Sequence, residues 1–285
     1  MNTPIKIIEI RTIEDILEIY KKYKQLDNTQ KIIFDFCGAK FIYSNFTAFF
    51  GALIDNSKLY EVIKPNKEKV KTVLSKNNFL PNYTDLTKLN DKSQSVIAFE
   101  KFALDDLDKQ NIFFDKLLNK KLLKQKGVTN LSDKVLKIVS KNIIELFDNT
   151  REHSKSTQGI YIAGQFFKEK QKFDFTIVDM GVGIVENVNS FLNEKLKSGE
   201  AIYWAMQKQN STRIGEPGGL GLALLKELIM KSNGKIEVIS NNGYYYIKNQ
   251  KEGFEDLDIV FQGTIINIEF NINGQIYSLK DEDNK

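Results

Sequence analysis

The sequence is poor in the residues that build disulfides, metal cages and histidine-based catalysis. Its 285 residues include one cysteine, Cys37, and one histidine, His153. A single cysteine excludes a disulfide within the chain and a cysteine metal cage. No second histidine is available to activate the Cys37 thiol, so packing is the expected role of this residue. A reducing, cytoplasmic setting fits this composition best.

Long apolar runs and a marked excess of one charge are also lacking. No run approaches the ~18 uninterrupted apolar residues of a membrane-spanning helix, and the N-terminus reaches a charge too early for a signal peptide. We therefore expect no membrane partner. The 41 basic residues are scattered and barely outnumber the 37 acidic ones, which argues against a dedicated nucleic-acid binder. The 41% hydrophobic content suffices for ordinary cores, and the length predicts two domains.

The N-terminal part of the chain alternates strand-like and helix-like patterns, which predicts a small α/β domain. The segment that follows, residues 81–111, is polar and broken, which predicts an irregular connector. An apolar run at 95–102 predicts one further strand inside it. The alternating strand and helix patterns lie at residues 5–10, 13–23, 31–36 and 45–55.

Two long helices are predicted next. In residues 106–126, apolar side chains recur at helical spacing between lysines that would lie on the opposite face. We expect this helix to pack on its own protein; a surface for a homodimer or another partner is the alternative. Ser132 is suited to cap a second helix that runs to His153.

The C-terminal part predicts antiparallel strands with helices on one face. Its strands come in adjacent pairs rather than in strict alternation with helices, which favours a two-layer α/β sandwich of the α+β class. Asn242-Gly243 is the dipeptide most favoured in two-residue hairpin turns. The predicted strands are 159–167, 173–179, 235–240, 244–248 and 263–271. The predicted helices are 185–197, 200–209 and 220–231.

Three short motifs in this part present groups suited to a phosphate-bearing ligand. Glu145 and Asn149 are four residues apart on one helix and therefore share a face. In Asp179-Met180-Gly181-Val182-Gly183, glycines at alternate positions let a ligand approach the backbone. The run Gly218-Gly219-Leu220-Gly221 leads into a helix whose first N–H groups favour a phosphate. Each motif alone is weak, because a solvated helix face or a tight turn also produces it.

The order and spacing of these motifs resemble the GHKL ATPase superfamily, which includes gyrase B, MutL, histidine kinases and anti-sigma-factor serine kinases. The resemblance covers about residues 131–271 and implies an ATP-binding fold of the Bergerat type. Together with the patterns in the rest of the chain, it predicts four parts: a smaller α/β domain, a helical connector, the GHKL domain and a charged tail. Their predicted bounds are 1–105, 106–130, 131–275 and 276–285.

The resemblance also implies a role for each motif residue. Asn149 would coordinate the Mg²⁺ that bridges the ATP phosphates, and Asp179 would accept a hydrogen bond from the adenine amino group. Thr264 matches a position beside that aspartate. Arg213 would contact phosphate or remain solvated, and His153 would contact phosphate or the free carbonyls at its helix end. The implied ATP-binding set is Asn149, His153, Asp179, Gly181, Gly183, Arg213, Gly218, Gly219, Leu220, Gly221 and Thr264.

Glu145 bears on the reaction type. In hydrolysing members of the superfamily a glutamate at this place orients the attacking water as a general base. In its serine kinases the same residue would activate a hydroxyl. We therefore expect an ATPase that acts as a conformational switch, with a serine/threonine protein kinase of the anti-sigma type and a non-hydrolysing ATP sensor as alternatives. A self-phosphorylating histidine kinase is disfavoured, because His153 lies inside the nucleotide motif.

The N-terminal part carries a looser resemblance to STAS domains, as in anti-sigma-factor antagonists. It rests on residues 32–46, which read as a buried strand, a loop and the start of an apolar helix. In STAS domains this loop reads roughly Asp-Ser-Ser-Gly, and the second serine is phosphorylated. Here Tyr43 replaces the aspartate and Asn45 replaces that serine, which leaves Ser44 as the nearby hydroxyl. We expect this domain to bind a protein partner rather than to act as a phosphorylation switch.

Overall fold

The computed structural model describes residues 3–118, 133–207 and 220–271. Its N-terminal part is an α/β unit, as predicted. Strands β1 (Ile5–Lys6), β3 (Ile32–Asp35) and β5 (Tyr60–Ile63) form a parallel sheet, and β2 (Glu9–Ile10) pairs in parallel with β4 (Phe41–Ile42). The helices of this unit are α1 (Ile13–Lys24), α2 (Thr47–Asn56), α3 (Glu68–Lys76) and α4 (Phe79–Tyr83), and a 3-10 turn at Ser44–Phe46 precedes α2.

A five-stranded antiparallel sheet forms the centre of the rest of the chain. Its strands are β6 (Val96–Phe102), β7 (Ile160–Phe167), β8 (Lys172–Asp179), β9 (Lys235–Lys248) and β10 (Lys251–Asn271), in the order β6-β7-β8-β10-β9. The fold class is therefore α+β, as predicted. The edge strand β6 comes from the segment predicted to be an irregular connector, and it pairs with β7. The N-terminal region thus contributes a strand to the C-terminal sheet.

Helices cover one face of this sheet. They are α5 (Leu107–Leu118), α6 (Asp133–His153), α7 (Gly183–Leu192), α8 (Ser198–Ala205) and α9 (Leu220–Lys231). Ile143 and Phe147 of α6 are 1% exposed and lie in the apolar core on this face. The Phe114 ring of α5 packs edge-on against Phe147, at 4.8 Å between centroids. The described part of the 106–126 helix therefore packs on its own protein, as expected.

The N-terminal unit covers the opposite face of the sheet. The two-layer prediction placed helices on one face only and assigned no cover to this one. In β7, Ile160 and Ile162 belong to the helix-side core, whereas Tyr161 and Ala163 lie in a second core with residues of α1 and α2. Successive strand residues point to opposite faces, so both faces of this strand are buried. The prediction of a sheet covered on one face is therefore incomplete.

The hairpin turn predicted at Asn242-Gly243 is wrong. Strand β9 continues through these residues, and the turn to β10 lies at Asn249 and Gln250, which both have positive φ as a two-residue hairpin turn requires. A Cβ on Gly243 would overlap the backbone of Ser198, so this glycine permits close packing of α8 on the sheet. Strand β10 consequently begins far earlier than predicted.

Two predicted helices are shorter than expected, and several predictions lie outside the described residues. The 185–197 helix ends at Leu192 because Asn193 takes the left-handed conformation, and the 200–209 helix ends at Ala205. Ser132, Arg213 and the charged tail are not among the described residues. Within the described ranges, no helix is both long and apolar enough to cross a membrane.

A buried polar network joins the N-terminal unit to the sheet. The Asn45 Nδ2 donates to Thr176 Oγ1 at 2.9 Å and to Asn267 Oδ1 at 3.1 Å, and Asn267 Nδ2 donates to Glu237 Oε2 at 3.0 Å. Asn45 and Thr176 are fully buried. Buried polar groups need such partners, because an unsatisfied group costs roughly 1–3 kcal/mol. Asn45 is therefore a structural contact between the two parts of the chain.

Replacing Asn45 by alanine should lower the free energy of unfolding by roughly 1–3 kcal/mol, because the buried oxygens of Thr176 and Asn267 lose a shared donor. Urea unfolding measures this change. Asn28→Ala is the control, since the Asn28 side chain is exposed although its Nδ2 also donates a hydrogen bond, to the Asn56 carbonyl. Equal losses in the two variants would contradict a special role for the buried network.

Candidate functional site

Asp179 is the last residue of β8 and the most buried carboxylate of the predicted site, at 1% exposure. Its Oδ1 accepts a hydrogen bond from the Gly181 N–H at 2.8 Å, and its side chain also bonds to Thr264, the residue opposite it in the β8–β10 ladder. Burial raises the pKa of Asp179 to about 7, and the bonds from Gly181 and Thr264 oppose this rise. The structure therefore brings three predicted site residues into direct contact.

The loop after Asp179 passes close to the end of α6. The Val182 N–H donates to the Ser154 carbonyl at 2.7 Å, and a Cβ on Gly181 would overlap the same oxygen. Only glycine fits at position 181 without a shift of this backbone. The second glycine, Gly183, begins α7. The Asn187 Nδ2 of α7 donates to the His153 carbonyl at 2.9 Å and so ties α7 to the end of α6.

The carboxylate and carboxamide predicted on one helix face lie on α6. Glu145 and Asn149 are half-buried and make polar interactions, in contrast to the fully buried Ile143 and Phe147. The apolar side chains fix the rotation of the helix against the sheet. Asn149 lies one helical turn before His153, which is half-buried at the helix end. The helix that carries both predicted polar groups therefore ends beside the loop of residues 180–183, which we name the glycine loop.

Ser240 links three elements around the glycine loop, although the sequence did not single it out. Its Oγ donates to the Gly263 carbonyl at 3.0 Å and accepts from the Ile184 N–H at 2.8 Å. This hydroxyl is fully buried and holds the start of α7 against β9 and β10. Nothing in the local pattern marks Ser240, because its partners are more than 20 residues away in the chain.

The glycine-rich run is described only in part. Leu220 is the first residue of α9 and Gly221 the second, as predicted, and α9 packs against α6. Gly218, Gly219 and Arg213 are outside the described residues. The start of α9 offers free backbone N–H groups, which is the feature on which the predicted phosphate contact depends.

The described geometry defines what chemistry the site can perform. A buried carboxylate at the end of a strand can accept a hydrogen bond from an amino group in a water-poor setting, where such bonds discriminate strongly between ligands. The amide oxygen of Asn149 is a hard ligand of the kind that Mg²⁺ accepts, and the Glu145 carboxylate can accept a proton. A comparison with protein-family models found no matching family, and a comparison with curated proteins found no match.

Replacing Asp179 by asparagine should make the protein without ligand more stable relative to wild type as pH rises. Below about pH 4 the carboxyl is protonated in both folded and unfolded chains, so its ionisation does not contribute. Between the ordinary value of 3.8 and about 7 the unfolded chain loses its proton first, which costs the wild type about 1.4 kcal/mol per pH unit. The total difference should reach roughly 4 kcal/mol and level off above pH 7.

Urea unfolding of both proteins from pH 4 to pH 8 measures this trend. Asp108→Asn is the control, because Asp108 is exposed and its replacement should give no comparable slope. A difference between Asp179→Asn and wild type that stays constant with pH would show that Asp179 is not held in its protonated form.

Proposed function

We propose that this chain is a Mg-ATP-binding regulatory protein of the GHKL type, and that it acts as an ATPase switch. One observation carries the proposal. The buried Asp179 carboxylate is bonded to Gly181 and Thr264, and the same glycine lies against the backbone at the end of the helix that presents Glu145 and Asn149. These contacts support the proposal because they join Asp179, Gly181 and Thr264 directly and bring Gly181 to the end of the helix that carries Glu145 and Asn149.

Asp179 is the proposed base-recognition residue. Its carboxylate would accept a hydrogen bond from the adenine amino group, while Gly181 and Gly183 let the loop that follows Asp179 pack closely against Ser154 and Ser240. Thr264 would hold the carboxylate in place through the hydrogen bond it already makes. A guanine base carries an oxygen acceptor where adenine carries the amino donor, so the carboxylate, in the ionised form that it takes above about pH 7, would reject it. The proposed site therefore prefers adenine nucleotides.

Asn149 is the proposed metal ligand and Glu145 the proposed general base. A Mg²⁺ ion held by the Asn149 amide oxygen and by the ATP phosphates would neutralise charge on those phosphates. Glu145 would orient a water molecule and take its proton as the oxygen attacks the γ-phosphorus. The bond from that phosphorus to the β,γ-bridging oxygen breaks, so the products are ADP and inorganic phosphate.

The main alternative is transfer of the same phosphoryl group to a protein hydroxyl. Ser44, the hydroxyl in the STAS-like loop, is fully buried against the sheet, and its N–H donates to the Gln165 Oε1 at 2.6 Å. A kinase reaction on Ser44 would therefore require separation of the N-terminal unit from the sheet. An exposed hydroxyl on a separate protein would not meet this barrier.

Incubation with Mg-ATP labelled on the γ-phosphate tests the proposal. We expect label to appear as inorganic phosphate. Glu145→Ala should bind Mg-ATP with little change but release phosphate at least ~100-fold more slowly, because a general base contributes 10²–10⁴-fold. Asn149→Ala should weaken Mg-dependent ATP binding itself. Glu169→Gln is the control, since this exposed carboxylate lies in the turn between β7 and β8, at the end of β8 opposite Asp179.

The molecule on which the label appears distinguishes the ATPase from the two alternative functions. Label on the protein, lost in the Glu145 variant, would replace the ATPase with the kinase. Tight binding without turnover in the wild type would replace both with a non-hydrolysing ATP sensor. Wild-type protein that binds no ATP would overturn the proposed function as a whole.

A further inference from the structure

The N-terminal unit reaches the proposed base site through residues 261–264 of β10, which we name the bulge segment. The pairing of β10 with β9 shifts register on both sides of Phe261 and again reaches regular pairing at Thr264. The Phe261 ring is fully buried between Tyr20 of α1, at 4.8 Å between centroids, and Phe49 of α2, at 6.3 Å. The N-terminal helices therefore hold the start of the bulge segment.

A hydrogen bond continues this contact by one residue. The Gln262 N–H donates to the Tyr20 hydroxyl at 3.1 Å, and the Tyr20 side chain is 1% exposed. The Gln262 Nε2 in turn lies 3.4 Å from the Met180 carbonyl, which follows Asp179 directly. Met180 belongs to the same apolar core as Tyr20 and Phe49. Tyr20 is thus connected to the Asp179 loop by one intervening residue.

The remainder of the bulge segment touches Asp179 itself. Gly263 has φ of +95°, and a Cβ there would overlap the Asp179 carbonyl oxygen. Thr264 lies opposite Asp179 in the ladder and bonds to its carboxyl group. With no free space between the two backbones, a displacement of Gln262 would move the groups that hold the carboxylate.

We propose that Tyr20 is a positioning residue for base recognition: its hydroxyl holds the bulge segment against Asp179, so that the N-terminal unit must be docked on the sheet for adenine to be selected. This inference rests on the proposed function and adds its regulation. A protein partner that draws the N-terminal unit away from the sheet would weaken nucleotide selection without touching the site.

The matched variants are Tyr20→Phe and Tyr23→Phe. Each removes one hydroxyl from a buried tyrosine of α1, but the Tyr23 hydroxyl accepts from Asn56 Nδ2 at 3.1 Å, inside the N-terminal unit. Calorimetry should measure the Kd of Mg-ATP and of purine riboside triphosphate, which lacks the amino group that Asp179 would bind. The wild type should prefer ATP. Tyr20→Phe should lower this preference by roughly 2- to 10-fold, the worth of one hydrogen bond, and Tyr23→Phe should keep it.

A merely structural role for Tyr20 would weaken the binding of both nucleotides equally and leave the preference for ATP unchanged, which would overturn the inference.

Amide hydrogen exchange without nucleotide gives an independent readout. The Gly181 N–H, which donates to Asp179, should exchange faster in Tyr20→Phe than in Tyr23→Phe. If the wild type binds neither nucleotide, the proposed function fails. Unchanged exchange at Gly181 would then also refute the positioning role, and faster exchange would support it.

Discussion

Both faces of the five-stranded sheet are covered, and the placement of the other elements depends on this burial. Near Asp179 the face toward the N-terminal unit carries apolar side chains such as Val178 and Ile265, which would be exposed if the unit left. Farther along the strands the same face carries polar side chains, among them Thr176 and Asn267. The N-terminal unit covers the apolar part of this face with aromatic rings. It covers the polar part with Asn45, which donates hydrogen bonds to Thr176 and Asn267.

The proposed site lies where the backbone is packed closely on both sides of one strand end. Strand β8 ends at Asp179, and the backbone turns between the end of α6 on one side and the bulge segment on the other. Packing on both sides leaves the carboxylate dry, which is why its pKa rises to about 7. The proposed base recognition and the docking of the N-terminal unit therefore use one continuous set of contacts.

Much of the fold and part of the site were predictable from the sequence. Period-2 and helical patterns predicted most elements, because they record which face of each element is buried. The two glycines after β8 were predicted to let a ligand approach the backbone, and at Gly181 the group that approaches is the Ser154 carbonyl of the chain itself. The turn at Asn249 was not, because Asn242-Gly243 carries the stronger local signal and its glycine is needed for packing against Ser198. Ser240 and Tyr20 act on partners remote in the chain, which local patterns do not encode.

The sequence by itself determined the α+β class, the helix that carries Glu145 and Asn149, and the order of the motifs, because each depends on residues close together in the chain. Only the tertiary structure decided that β6 joins the five-stranded sheet, that the N-terminal unit covers the face of this sheet away from α5–α9, and that Tyr20 reaches the Asp179 loop. These pairings join surfaces of matching shape and polarity across long stretches of chain. Their free energy depends on the folded surfaces that meet and not on any local pattern.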